Sequence, residues 1–234
     1  MKITGINAEL VLNHYPIGSD VGSAEFEESI ETLDYSGFTD DTKNYEPGLA
    51  EGKVSFTGFV NDADHSLFHQ LKGSRQSNVK SAWLMKNEKY RPCLYSNDSV
   101  LSKFTFNRAD DGSYKVQSEL MYSGHYIFLQ NMSDGVETLA ATNGTTVFDT
   151  GSTAEKNYKD IHILNLADKT LNLNIFKSSG VSGGQSLQTM TISARTTGTL
   201  QIRAANKFTE RYIIIANSDA TASPILALYG DVFE

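Results

Sequence analysis

His65 and His69 lie four residues apart, and Asp62 precedes His65 by three. Within a helix that spacing sets both imidazoles and the carboxylate on one side, where they can hold a metal ion. The His-Glu-x-x-His order of a zinc protease is absent, because Ser66 follows His65. Surface or interface histidines are the default for such a pair, so no metal is assigned. The other histidines, His14, His125 and His162, stand singly in strand-like contexts. Glu27 and Glu28 are adjacent in a strand-like run, and neighbours in a strand point to opposite faces, so they cannot act together across one bond. Asp40-Asp41 lies in a loop without the alternating oxygens of a calcium loop. Cys93 follows Pro92 in a strand and reads as a small buried apolar residue rather than a nucleophile. Trp83, Tyr90 and Tyr95 form either an aromatic surface or, the favoured reading, part of the core. Gly183-Gly184 sits between strands and lacks the strand-to-helix setting and the lysine of a phosphate loop. No catalytic constellation and no cofactor follow from these residues.

The elements that must position any function are mostly strands. Residues 10–15 form a first strand, ended by Pro16 and Gly18. Residues 25–33 form another, with Phe26 and Ile30 on one side and Glu25, Glu27, Ser29 and Glu31 on the other, a period of two with one wet face. Residues 34–52 are expected to be a long loop, with turn dipeptides Ser36-Gly37 and Pro47-Gly48. Phe38, Tyr45 and Leu49 lie inside it and need a surface to pack on, either another subunit or their own domain. Residues 53–60 are a strand with Val54 and Phe56 on one side and Lys53, Ser55 and Thr57 on the other. The period then changes. Cap-type residues 61–64 precede Leu67, Phe68 and Leu71 at helical spacing, and Gly73 stops a helix of about three turns. Strands resume at 81–85, 92–95, 101–108 and 114–122, the last two as a hairpin through Asp110-Asp111-Gly112.

Beyond residue 124 no helix is expected. Candidate strands are 126–130, 136–140, 145–148, 158–166, 170–176, 187–194, 199–204, 211–217 and 225–229, the spacing of a β-sandwich. Charges thin out there and Thr, Asn and Ser rise, so the expected domains are 1–124 and 125–234. The fold class is therefore mainly β: a sandwich or half-barrel with one flanking α-helix, then a second all-β sandwich domain.

The whole chain has 234 residues, 28 Asp+Glu and 20 Lys+Arg, a formal net charge of −8, which argues against tight binding of nucleic acid. A single cysteine excludes an internal disulfide framework. No apolar run has the length of a membrane span, and residues 1–7 turn polar too early for a signal peptide, so folding in a cytoplasm is expected. Charge also separates along the chain. Residues 20–64 carry twelve acids, opposed only by Lys43 and Lys53, whereas residues 72–115 carry nine bases against Glu88, Asp98, Asp110 and Asp111. The two elements are either complementary between copies or two ordinary solvated faces.

The run Phe26-Glu27-Glu28-Ser29-Ile30-Glu31-Thr32-Leu33-Asp34-Tyr35-Ser36-Gly37-Phe38, followed by Glu46-Pro47-Gly48-Leu49-Ala50-Glu51-Gly52-Lys53-Val54-Ser55-Phe56-Thr57-Gly58-Phe59, resembles the major tail (tail tube) proteins of long-tailed bacteriophages. The shared pattern is a strand ending Glu-x-Leu-Asp, a long loop, a Pro-Gly-Leu turn, a strand ending Gly-Phe and a short Asp-led helix. It covers about the first half of the chain. The resemblance implies a tail-tube-like sandwich or half-barrel whose copies join into six-membered rings, and rings that stack into a tube through which DNA passes without specific binding. It implies partners in the chain itself and in other tail proteins, such as the tape measure and the tail terminator, with a place in the virion tail after synthesis in the host cytoplasm. Glu25, Glu27, Ser29, Glu31, Ser55 and Thr57 become candidates for the channel wall, the alternative being an outward solvated face. Phe38, Tyr45, Pro47 and Leu49 become candidates for ring stacking. The second domain would be an outward-facing addition. The rival class is a carbohydrate- or host-binding module, with Tyr158, Tyr212 and Tyr229 on a sandwich face.

Overall fold

A computed structural model of the chain describes residues 8–34, 36, 43, 45–75, 77–84, 91–122, 126–131, 137–139, 145–149, 160–177, 185–201, 212–217 and 223–230. In chain order the elements are β1 (Glu9–Leu12), β2 (Tyr15–Pro16), a 3-10 turn (Gly18–Asp20), β3 (Val21–Asp34), β4 (Tyr45–Phe59), α1 (Leu67–Gly73), β5 (Val79–Leu84), β6 (Pro92–Arg108), β7 (Tyr114–Tyr122) and β8 (Tyr126–Asn131). There follow β9 (Glu137–Leu139), β10 (Thr145–Asp149), β11 (Asp160–Asn165), β12 (Leu171–Lys177), β13 (Gln185–Ile192), β14 (Thr197–Gln201), β15 (Tyr212–Asn217) and β16 (Ser223–Gly230). The protein is mainly β, with one α-helix among the described residues and a large antiparallel sheet, as its alternating sequence requires.

The chain divides into two compact units. One, here the discontinuous unit, gathers the three segments Met1–Gly18, Ser81–Tyr95 and Ile127–Glu234; the other, here the hairpin unit, gathers the two segments Ser19–Lys80 and Ser96–Tyr126. This differs from a single boundary after residue 124. The reason is a core that local patterning does not reveal: Val11, Ala82, Leu84, Cys93 and Tyr95 pack with Leu129, Leu164 and Leu166, so β1 and β5 need apolar partners from the C-terminal half. The register Glu9↔Leu84 through Leu12↔Ser81 fixes β1 on β5.

A twelve-stranded sheet runs in the order β14-β11-β16-β8-β6-β5-β1-β2, with β3, β4, β7 and β9 off this path, and a four-stranded sheet runs β10-β15-β12-β13. Asn165, fully buried, ties its turn together: its amide donates to the carbonyls of Lys169, Ile192 and Ser193, and its Oδ1 accepts from the Ala167 amide. Cys93 is buried, and loss of solvent pushes its thiol well above the ordinary range, which keeps it unreactive. Tyr95 lies in the core, as expected, with its hydroxyl 3.4 Å from Thr197 Oγ1.

The hairpin unit holds the antiparallel run β3-β4-β7-β6, with β6 from Ser96 on, and α1 supplies Leu67 and Leu71 to its core. Val54, Phe56, Val116 and Leu120 are buried there. The helix is shorter than expected, seven residues. Its N-cap, Ser66, makes no side-chain cap bond; instead Asp20, 47 residues earlier, accepts the Leu67 amide at 3.0 Å. Gly58 is required where β4 passes this corner, since a Cβ there would run into the Asp20 carbonyl oxygen and the Leu67 side chain.

Candidate functional site

The strands β3 and β4 pair from Val21↔Gly58 to Asp34↔Tyr45. The long loop expected over 34–52 is therefore corrected: β4 already begins at Tyr45, and Tyr45, Pro47 and Leu49 lie in a strand rather than a loop. The Pro47-Gly48 pair is absorbed by a register shift between Ile30 and Thr32, not by a turn. Gly48 permits this, because a Cβ there would stand 3.0 Å from the Glu31 carbonyl oxygen. Pro47 is tolerated because β4 pairs with β7 only over Lys53–Phe59, leaving its earlier part an edge.

Cross-strand partners share a sheet face. One row joins Glu25, Ser55, Glu119 and Lys103; the next joins Ser23, Thr57, Gln117 and Thr105. All of these residues but Thr105 line a shallow depression on the polar face. Beside it Glu27 is paired with Lys53 and Ser29 with Glu51, around a smaller hollow. The register thus brings five of the six candidate wall residues, Glu25, Glu27, Ser29, Ser55 and Thr57, onto one face. The sixth, Glu31, sits in the register shift and is exposed.

The charge of this face is mixed. Lys53 Nζ lies 2.9 Å from Glu27 Oε2, and the Glu27 carboxylate beside it holds the Lys53 ammonium above its ordinary value. Ser102 Oγ donates to Glu119 Oε1 at 3.0 Å. Glu51, Gln117, Glu119 and Lys103 were not among the sequence candidates. The alternation of Lys115, Gln117 and Glu119 marks β7 as half wet, but nothing local says that β7 lies against β4.

The opposite face is apolar near α1 and carries an aromatic cluster. Phe106 stacks on Tyr114 with centroids 5.3 Å apart. Phe68 of α1 lies 5.8 Å from Phe106 and 6.2 Å from Phe104. The Arg75 guanidinium sits 4.9 Å over Phe104. At the other end of the sheet the hairpin leaves Ile30, Leu33, Tyr45 and Leu49 exposed by 54%, 49%, 56% and 81%.

His65 and His69 do not share a helical face. His65 precedes α1 with φ 66°, a left-handed conformation that turns it off the helix line, and His69 Nδ1 lies 3.0 Å from Ser66 Oγ. Phe38 and Tyr158 lie outside the described residues, as do Asp40, Asp41 and Tyr90; of Tyr212 and Tyr229 only the strand placement is described. Among the described residues no helix is long and apolar enough to cross a membrane.

No protein-family model and no curated protein matches the sequence. Among solved structures, a chain of the virion of a native gene transfer agent particle is similar at 11% identity and TM-score 0.44, over 53% of this chain and 97% of that one. A sheath/tube terminator of an extracellular contractile injection system is similar at 12% identity and TM-score 0.45, over 55% and 96%. The Dit protein of the phage SPP1, from a hub adsorption apparatus, is similar at 10% identity and TM-score 0.37, over 95% and 98%. The structural neighbours of this chain are thus components of a gene transfer agent, an injection system and a phage tail hub.

Proposed function

We propose that this chain is a structural virion protein of the tail, not an enzyme, which polymerises as stacked hexameric rings into the tube through which DNA is ejected. The observation that carries the reading is the bare end of the β3–β4 hairpin. Ile30, Leu33, Tyr45 and Leu49 share one short stretch, each about half exposed or more. Covering the part that each still exposes contributes about 1 kcal/mol apiece, and more at Leu49, before ordering costs, so an assembly gains there. The sequence resemblance to tail tube proteins over the same segment supports the reading. So does a polar sheet face whose carboxylates outnumber its lysines, because such a surface neither grips phosphate nor releases counterions. Other tail proteins would meet the ends of the tube, and the DNA would pass unbound.

Negative-stain electron microscopy of the purified protein tests the reading. Rings or tubes are expected. A Tyr45→Ser/Leu49→Ser variant should keep its circular dichroism and melting temperature and form neither. Monomers at all concentrations in the unaltered protein would refute the proposal.

A further inference from the structure

Two histidines far apart in the sequence meet in one buried polar cluster. His14 sits in the turn between β1 and β2 and is 3% exposed; His162 sits in β11 and is 8% exposed. Tyr95 of β6, also buried, links them. Its ring lies 5.3 Å from that of His162, and its hydroxyl donates to Thr197 Oγ1 at 3.4 Å. Thr197 Oγ1 in turn lies 2.9 Å from His14 Nε2, and Thr199 Oγ1 lies 3.1 Å from His162 Nδ1. All five residues belong to the discontinuous unit.

A clasp closes over the same place. Arg195 Nη1 donates to the His14 carbonyl at 2.9 Å, its guanidinium covers the Tyr15 ring at 4.0 Å, and its Nε lies 2.8 Å from Asp168 Oδ1. Arg195 thereby holds the β1–β2 hairpin to the chain entering β14. Asn13, His14 and Arg195 are all left-handed, with φ of 48°, 67° and 52°, a conformation that residues other than glycine adopt seldom and at a cost.

The cluster suits neutral imidazoles. Thr197 Oγ1 accepts from Tyr95, so its own proton can go to a bare His14 Nε2. A proton gained at that nitrogen ends this bond and sets a second positive charge beside Arg195, where water does not reach. Asp168 offsets the charge of Arg195, but its side chain is 77% exposed and screened. A proton on His162 likewise places charge against the buried Tyr95 ring. Glu9, at the start of β1, works the other way, since burial favours its protonated form.

We propose that the β1–β2 hairpin is a latch released by mild acid, with the buried pair His14 and His162 as its lock. Release uncovers the edge of β5 that Glu9–Leu12 pairs, together with the core around Val11, Ala82, Leu84 and Cys93. An open strand edge offers its backbone groups to another strand. The latch needs no second copy and stands apart from the tail role proposed above. Each histidine that gains a proton only on release makes release about tenfold more favourable per pH unit below about pH 6.5, where a free imidazole titrates.

Cys93, the single thiol of the chain and a buried one, reports the opening. The full chain is treated with a dipyridyl disulfide, a thiol reagent that works in acid, between about pH 7.5 and about pH 5. Each rate is divided by that of the same thiol in the urea-unfolded chain at that pH. The relative rate is expected to rise at least about tenfold on acidification while far-UV circular dichroism stays constant. In a His14→Gln/His162→Gln variant, whose amides are polar but do not titrate, the rise should vanish. A flat relative rate in the unaltered chain would overturn the latch, as would a rise that accompanies loss of circular dichroism or persists in the variant. Should the variant not fold, hydrogen exchange of the unaltered chain decides. In acid, protection should fall at the amides of β1 and hold at those of β12; equal loss at both would overturn the latch.

Discussion

Asp20 is the most consequential polar side chain of the hairpin unit, and its removal has a calculable cost. It is 8% exposed. Its Oδ2 accepts the Leu67 amide at 3.0 Å, and its Oδ1 accepts the Asn61 side-chain amide at 3.2 Å. Asn61 cannot turn its amide round freely, because its own Oδ1 accepts from the Ala63 amide at 3.0 Å. Hydrogen bonds to a charged group contribute about 1.5–3 kcal/mol each, and loss of a helix cap costs about 0.5–2 kcal/mol. Asn61 is exposed and recovers water as a partner, whereas the Leu67 amide does not. Asp20→Ala should therefore lose about 2–4 kcal/mol. Asp20→Asn keeps an oxygen for Leu67 but sets its amide against that of Asn61, and should lose about 1–2 kcal/mol. Urea denaturation followed by circular dichroism measures both, and hydrogen exchange at the Leu67 amide places the effect at the helix start. A loss in Asp20→Ala below about 0.5 kcal/mol, the scatter of ordinary surface changes, would refute the assignment of Asp20 as the cap of α1.

The remaining predictions concern charge. Replacing Glu25, Glu27 and Glu31 together by Lys should leave rings able to form but slow DNA ejection, most strongly at low salt, because the face then holds phosphate and Lys53 loses its partner; ejection at the unaltered rate would count against the wall. Burial raises the pKa of the Glu9 carboxyl above its ordinary 4.5, only partly offset by the bond from the Gly18 amide at 3.0 Å. A carboxyl raised on folding favours the folded state below its unfolded value and weighs on it as pH rises through the folded one. Glu9→Gln should therefore melt higher than the unaltered chain at pH 7 and lose that advantage on acidification below about pH 4; a lower melting temperature at pH 7 would contradict this.

Much of the strand pattern was legible. The residues 114–122 form β7 as expected, and each expected strand beyond 124 has its counterpart within a few residues, because alternation and turn residues are local signals. The unit composition was not legible, since β1 and β5 look self-sufficient until the core with Leu164 and Leu166 is seen. The helix was placed by Leu67 and Leu71, but its cap was sought among residues 61–64, while the carboxylate that does the work comes from the 3-10 turn before β3. Pro47-Gly48 misled because the same dipeptide serves a turn or a bulge, and only the pairing partner decides. The polar face was half legible: its residues on β3 and β4 followed from alternation, whereas Glu119 and Lys103 joined it only through pairing between strands far apart in sequence.

The discontinuous unit also imposes a timetable on synthesis. Ser19–Lys80 and Ser96–Tyr126 have all left the ribosome while Ile127–Glu234 is still being made. Leu84 must wait for Leu164, 80 residues later, before its core can close. At roughly 5–20 residues per second that is a delay of about 4–16 s. During it Val11, Ala82 and Leu84 are without their final cover, while every residue of the hairpin unit has already been made. Slower translation thus lengthens the time for which the N-terminal strands stand without the core that closes over them.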